Sequence, residues 1–313
     1  MRDVLRRLTA GELTEDEALG ELRTIQLEEL GGKARLDIGR FMRRGIPEVV
    51  LATGKAPGEA ARLALSLAQR QGQGLISRMT AEHRAALGEA AGAAQMAIVD
   101  YSNSARVLRA MFSPEALDGK VGILTAGTSD VQVADEARMV VEACGMGARL
   151  EADLGVAGLH RFLGPLSAIL EWGADVIVVA AGMDGVLPGL VAGLIDVPVI
   201  GLPVSTGYGR GGAGEAALNT MLQSCSTGLV VVNIDNGVGA GAAAVLIAQR
   251  RLRGRTEAKI AKASAPTRST PTKMGNAARH VSGPPNTRND SAPSKTATVT
   301  KPSSHGKPRR ARP

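Results

Sequence analysis

Aromatic residues are nearly missing from this chain: three Phe, two Tyr and one Trp in 313 residues. Proteins that grip single-stranded nucleic acid stack its bases on such rings, so that mode of binding has no platform here. The core must be built from Val, Ile, Leu and Ala instead. Cysteine is equally scarce. Cys144 and Cys225 are the only two; they make no disulfide framework and point to a reducing compartment. Long apolar runs are missing as well. The longest, over 238–248, falls short of the roughly 18 residues needed to span a bilayer. The start MRDVLRRLTAGELTEDEAL contains no apolar h-region, so no signal peptide is expected. Together these absences predict a cytoplasmic protein with no membrane association.

The formal charge of +7 is unevenly spread. Residues 255–313 hold 13 Lys and Arg against 2 Asp and Glu, which leaves 24 against 28 in residues 1–254. The positive excess therefore belongs to a tail, and the part before it is mildly acidic. That tail carries 8 of the 15 prolines and no aromatic residue, so it cannot bury enough apolar surface to fold. At most it would attract nucleic acid or an acidic partner weakly, with an affinity that falls as salt rises. The other 254 residues suffice for a core that removes roughly three quarters of the unfolded surface from water.

Two further segments are distinguished by their grammar: a small α/β module over 1–115 and a stricter α/β repeat over 116–254. In the first, Thr14-Glu15-Asp16-Glu17 is a capping box that predicts a helix to about Leu30. Then follow a strand at 48–51, a helix over 57–71, a strand at 75–78, a helix over 81–91 and a strand at 96–100. The segment 113–119 is the expected linker. Beyond it, strands VGILTAG, ARLEADL, DVIVVAAG, PVIGLPV and LVVVNI alternate with helices over 131–144, 162–172, 185–195, 212–225 and 239–251. Near-continuous Val and Ile runs indicate strands buried on both faces, and strict β-then-α order indicates a doubly wound, mainly parallel sheet. Ligands of such sheets bind beyond the carboxyl ends of the strands.

Four loops fall at those ends. Thr128, Ser129 and Asp130 follow the first strand, where hydroxyls and backbone N–H groups suit a phosphate, and Asp130 suits a ribose or a helix cap. His160-Arg161 follows the second, setting a proton carrier beside an anion clamp. Gly182, Met183 and Asp184 follow the third, where Asp184 is either functional or a helix cap. Ser205 opens the glycine-rich fourth loop, which carries Tyr208 and Arg210 and lacks both the GxGxxG spacing and the Lys of a P-loop. Just beyond it, Cys225 closes the run AGEAALNTMLQSC, near the expected end of a helix.

In order and spacing, Ser129-Asp130, His160-Arg161 and the stretch from Ala181 to Leu187-Pro188-Gly189 resemble the PurE-type aminoimidazole ribonucleotide carboxylases. The resemblance implies a PurE-like, Rossmann-type three-layer domain. This chain has Gly185-Val186-Leu187-Pro188-Gly189 where those enzymes read AHLPG, and it adds both an N-terminal module and Cys225. The blocks RRGIPEVV, TAGTSD, DLGVAGLHR, AAGMDGVLPGLVAG, GLPVSTGYG, LNTMLQSC and VVNIDNGVGAG more closely resemble the LarB family of nickel-pincer cofactor biosynthesis.

That resemblance implies carboxylation of nicotinic acid adenine dinucleotide with CO2 at C5 of the pyridinium ring. Phosphoanhydride hydrolysis would follow, releasing AMP and pyridinium-3,5-biscarboxylic acid mononucleotide. It implies Cys225 as nucleophile, Asp184 as base or water ligand and His160 as proton shuttle. Thr128, Ser129, Asp130 and Arg161 would hold the ribose phosphate, with Gly182, Met183, Ser205 and Tyr208 as further substrate contacts. Arg44 and Lys55 would clamp the AMP half or the carboxylates, or serve structure alone. No tightly bound cofactor or metal cluster is expected, and any Mg2+ would arrive with substrate. A homo-oligomer, octameric by resemblance, is the implied assembly. The competing readings are an aminoimidazole ribonucleotide carboxylase, which needs no thiol, and a nucleic-acid binder working through the tail.

Overall fold

A computed structural model describes residues 2–22, 27–30 and 34–264. After α1 (Arg2–Thr9), the capping box starts α2 (Glu15–Leu22). The Thr14 N–H donates to Glu17 Oε2 at 2.8 Å, and the Glu17 N–H returns a bond to Thr14 Oγ1 at 3.3 Å. This helix does not reach Leu30 as expected. Leu27–Leu30 is instead strand β1, paired antiparallel with β2 (Ala34–Asp37). LEEL has helical propensity, but the neighbouring Gly31-Gly32 is a turn signal, and cross-strand pairing overrides propensity.

The rest of the N-terminal module runs α3 (Arg40–Arg44), β3 (Val49–Leu51), α4 (Pro57–Gln71), β4 (Gln73–Ser77), α5 (Ala81–Ala93), β5 (Ala97–Asp100) and β6 (Ala105–Leu108). Its sheet has the order β3-β4-β6-β5, and only β3 and β4 are parallel. Strand β6 is unexpected from sequence, because ARVL is too short to show a period. It nevertheless sits between β4 and β5 and joins them.

The second part alternates without exception: β7 (Lys120–Thr125), α6 (Val131–Ala143), β8 (Gly147–Glu151), α7 (His160–Trp172), β9 (Val176–Ala181), α8 (Leu187–Ala192), β10 (Val199–Pro203), α9 (Glu215–Leu222), β11 (Leu229–Val231) and α10 (Gly237–Ser264). All four strand pairings are parallel, in the order β8-β7-β9-β10-β11. Alternate residues of β9 go to opposite faces. Val176 and Val178 join α6 and α10 in one apolar cluster, and Ile177 and Val179 join α7, α8 and α9 in another. The sheet is therefore doubly wound, with helices on both faces.

Helix α6 also closes against the N-terminal module. Ser77 donates to Glu136 at 2.7 Å, Tyr101 to Glu142 at 2.6 Å and Ser102 to Asp135 at 2.6 Å. The linker is anchored too, with the Leu117 N–H bonded to the Gly145 carbonyl at 2.8 Å. Helix α10 runs ten residues further than the tail boundary at 255 allowed. Its continuation RTEAKIAKAS is rich in Ala, Lys and Glu, which favour helix whatever their charge. The tail beyond Ser264 lies outside the described residues.

Burial raises the Glu136 carboxyl above its usual range, although the Ser77 hydroxyl and Arg78 oppose the shift. The folded chain thus keeps a proton that the unfolded chain has released, and stability falls as pH rises through that window. Glu136→Gln should remove this decline. Melting temperatures of variant and native chain should agree near pH 4 and separate in the variant's favour toward about pH 7. Parallel curves over that range would contradict it.

Candidate active site

The order of the parallel sheet creates the site. Connections from β7 and β9 leave toward opposite faces, so their carboxyl ends part and leave a crevice between them. Loop 126–130 after β7 and loop 182–185 after β9 form its two banks. Residues 155–157 after β8, with Thr206 and Tyr208 after β10, complete a cavity of about 490 Å³.

Asp130 ties these loops together. It is buried, accepts the Gly127 N–H at 2.8 Å through one oxygen and the Thr206 hydroxyl at 2.8 Å through the other. Its side chain makes no cap bond to α6. Among described contacts it therefore positions the β7 loop against the β10 loop. Gly182 makes that approach possible: a Cβ there would lie 2.2 Å from Thr206 Oγ1 and 3.2 Å from Asp130 Oδ1. Met183 follows in a left-handed conformation with φ of 46°. Asp184 is exposed on the cavity wall, its Oδ1 3.4 Å from the Val186 N–H at the head of α8. Ser129 lies at the cavity rim and Tyr208 stands largely in solvent at its mouth.

The other expected residues are not in this cavity. Thr128 is exposed on the 3-10 turn that carries Ser129. His160 and Arg161 begin α7, both exposed, and Arg161 pairs with Asp153 at 2.9 Å. Arg44 is exposed on α3, and Lys55 donates to the Leu51 carbonyl at 2.7 Å within the N-terminal module. The Ser205 N–H bonds Asp235 Oδ1 at 2.9 Å and faces a neighbouring cavity.

Cys225 corrects the expectation most. It does not end a helix, since α9 stops at Leu222. Ser226 Oγ donates to the Gly189 carbonyl at 2.6 Å and the Ser226 N–H to Ser224 Oγ at 3.2 Å. These local side-chain bonds compete with helix continuation and fasten the segment onto α8. The thiol is exposed in an open groove bordered by Gly185, Val186 and Gly189, one residue along the chain from Asp184 but outside the main cavity. Cys144 is its opposite, buried with Sγ 3.6 Å from the Gly45 carbonyl and pushed up to about 12 by burial. Ellman's reagent at about pH 8 should therefore titrate one thiol per chain promptly and the second only after denaturation. Two fast thiols would contradict this burial.

Arg78 was missed by sequence reasoning. It sits just past β4 with φ of 58°, its guanidinium bonded to the Asp235 carbonyl oxygen at 2.5 Å and its Nε 3.7 Å from Glu136. It lines the second cavity, of about 330 Å³, which shares Ser129 and Thr206 with the first. A basic residue directly after a β-strand, at its carboxyl end, was the available signal. Among the described residues no group of three or more His, Cys, Asp or Glu could hold a metal ion, and no helix is long and apolar enough to cross a membrane.

Residues 120–268 match the AIR carboxylase family model, and residues 27–111 match that of the LarB/PurE-like N-terminal domain. An uncharacterized protein of Methanocaldococcus jannaschii is 38% identical over 253 residues, covering 80% of this chain and 97% of its own. The chain belongs to this AIR carboxylase family with a LarB/PurE-like N-terminal domain. The N5-carboxyaminoimidazole ribonucleotide mutase of Thermotoga maritima is 28% identical over 131 residues, 41% of this chain and 74% of that protein. The mutase of Pyrococcus abyssi is 34% identical over 91 residues, 28% of this chain and 50% of its own. A crystal structure of a Treponema denticola PurE2 variant is 18% identical, with a TM-score of 0.33, over 49% of this chain and all of that one. Within the family framework, the main cavity is built wholly from the AIR carboxylase domain. The second cavity takes Arg78, Met79 and Asn103 from the LarB/PurE-like domain.

Proposed function

We propose that this carboxylase-related enzyme carboxylates nicotinic acid adenine dinucleotide at pyridinium C5 and then hydrolyses the phosphoanhydride, releasing AMP and pyridinium-3,5-biscarboxylic acid mononucleotide. The supporting observation is the union of the two family matches with an exposed thiol, Cys225, in a groove that begins one residue beyond Asp184. A pyridinium and CO2 are both electrophiles, so they need an intermediary. The Cys225 thiolate adds to C6 and turns the ring into a neutral dienamine, whose C5 attacks CO2 to form the new C–C bond. Asp184, directly or through water, takes the C5 proton; the C6–S bond breaks and the ring regains aromaticity. No oxidant is consumed. This is covalent catalysis that reverses the polarity of the substrate.

Ser129, Gly182 and the loop N–H groups would hold the ribose phosphate in the main cavity, positioned by Asp130. His160, Thr128 and Arg161 lie on neighbouring loops and would act at its entrance. Mg2+ would enter on the pyrophosphate and ease attack of water on phosphorus. A homo-oligomer belongs to the same reading: Leu159, Leu163 and Leu222 are exposed apolar side chains of the kind that a second copy buries.

The mutase relatives favour a second reading, carboxyl chemistry on aminoimidazole ribonucleotide, which uses no thiol. Incubation with nicotinic acid adenine dinucleotide, bicarbonate and Mg2+ separates the two. Mass spectrometry should find AMP and a mononucleotide heavier by one carboxylate. Carboxyl transfer on aminoimidazole ribonucleotide with no AMP from the dinucleotide would overturn the first reading.

A further inference from the structure

The main cavity and the second cavity join at Ser129 and Thr206, which line both. Among the described residues, no Lys, Arg or His lines the main cavity, and Arg78 is the single cation lining the second. The dinucleotide of the proposed reaction brings two phosphates joined by an anhydride. The loop around Ser129 takes one of them in that reading. The other meets a positive side chain in these cavities only at Arg78.

Arg78 is held in place there. Its backbone is left-handed, with φ of 58°, and its guanidinium donates to the Asp235 carbonyl at 2.5 Å. A non-glycine residue keeps such a conformation where the surrounding structure fixes it, often at a ligand site. The side chain is nevertheless 39% exposed, so part of its planar fork stays open to the cavity. Both neighbouring carboxyl groups have partners of their own. Glu136 is 2% exposed, accepts the Ser77 hydroxyl at 2.7 Å, and burial favours its neutral form. Asp235 Oδ1 accepts the Ser205 N–H at 2.9 Å. Asp235 opposes an anion, and it does so equally whether residue 78 is Arg or Gln.

We propose that Arg78, supplied by the LarB/PurE-like domain, receives the second phosphate of the dinucleotide and stabilises the oxygen released when the anhydride is cleaved. The role in cleavage rests on the dinucleotide reading, whereas the anion site rests on the cavity lining alone. In the cleavage, a water oxygen bonds to one phosphorus and the bridging P–O bond breaks. The bridging oxygen leaves with the electron pair, the water's proton passes to solvent, and the departing mononucleotide gains one negative charge. A fixed guanidinium meets that charge where it develops. Carboxylation takes place at the pyridinium ring, so hydrolysis is the step that needs Arg78.

The test gives saturating nicotinic acid adenine dinucleotide, bicarbonate and Mg2+ to the full chain and to Arg78→Gln, which keeps an N–H donor but loses the charge. The native chain should release AMP. In the variant AMP release should fall roughly 10³-fold, and uncleaved dinucleotide, heavier by one carboxylate, should accumulate. Arg78→Ala should behave alike, and millimolar guanidinium should restore part of its AMP release where neutral urea does not. A merely structural loss would lower carboxylation in step and would not respond to guanidinium. Calorimetric titration with inorganic pyrophosphate is the second arm: the native chain should bind about tenfold more tightly than Arg78→Gln. That difference in a chain that does not turn over the dinucleotide would uphold the anion site and sink the functional reading. Equal pyrophosphate affinities, carboxylation and AMP release that fall together, or undiminished AMP release by Arg78→Gln would overturn the proposal, even with native turnover intact.

Discussion

Cys225→Ala should abolish carboxylation of nicotinic acid adenine dinucleotide, by at least about 10³-fold, while the chain keeps its fold. The fold should survive because Cys225 is exposed and lies on a loop after α9, fastened by Ser224 and Ser226 rather than by its own thiol. The loss should be in turnover, since the thiol forms a bond in the reaction and contributes little to holding the substrate. Cys225→Ser should fare nearly as badly, because an alkoxide is far harder to form near neutral pH than a thiolate. Intact protein mass spectrometry of the native chain, quenched with substrate but without bicarbonate, should show an adduct that Cys225→Ala lacks. Full carboxylation by the alanine variant would remove the covalent scheme.

Gly182→Ala should cost roughly 10²-fold in activity through geometry alone. The new methyl would lie 2.2 Å from Thr206 Oγ1, so that hydroxyl must leave Asp130 or the whole loop must shift. Either outcome unties the β7 loop from the β10 loop and strips a buried carboxylate of one partner, at about 1–3 kcal/mol. Circular dichroism should remain native and the melting temperature should drop by a few degrees. Thiol labelling at Cys225 should not change, because neither Gly182 nor Thr206 lines that groove. An alanine variant with native turnover would show that the Asp130–Thr206 tie does not shape the site.

Strands β7, β9 and β10 were legible because each is buried on both faces, which forces a run rich in Val and Ile, whereas the part-buried edge strands β8 and β11 were placed by the strict β-then-α order. Helix α4 was readable to the residue, since Pro57 at its start and Gly72 in left-handed conformation at its end are local signals. The Thr14 capping box was equally plain. Loops 126–130, 182–185 and 205–208 could be assigned to one end of the sheet, as strand direction follows from strict alternation. The misses have different causes. Strand β6 and the end of α9 depend in part on β4 and on the Gly189 carbonyl, which lie far away in sequence, whereas the β1–β2 hairpin is local and was missed because LEEL reads as helix.

By itself, the sequence determined the class of the fold and the end of the sheet to which the candidate loops belong. The tertiary structure decided which loops touch. Strand order parts β7 from β9 and opens the cavity, and close packing at Gly182 lets Asp130 reach Thr206. Folding against the N-terminal module brings Arg78 and Asn103 to a second cavity that composition could not foretell. Cys225 itself moved from a helix end to a separate groove on α8. Periodicity and propensity are properties of neighbours along the chain, whereas a site is made by pairing energies between segments far apart in it.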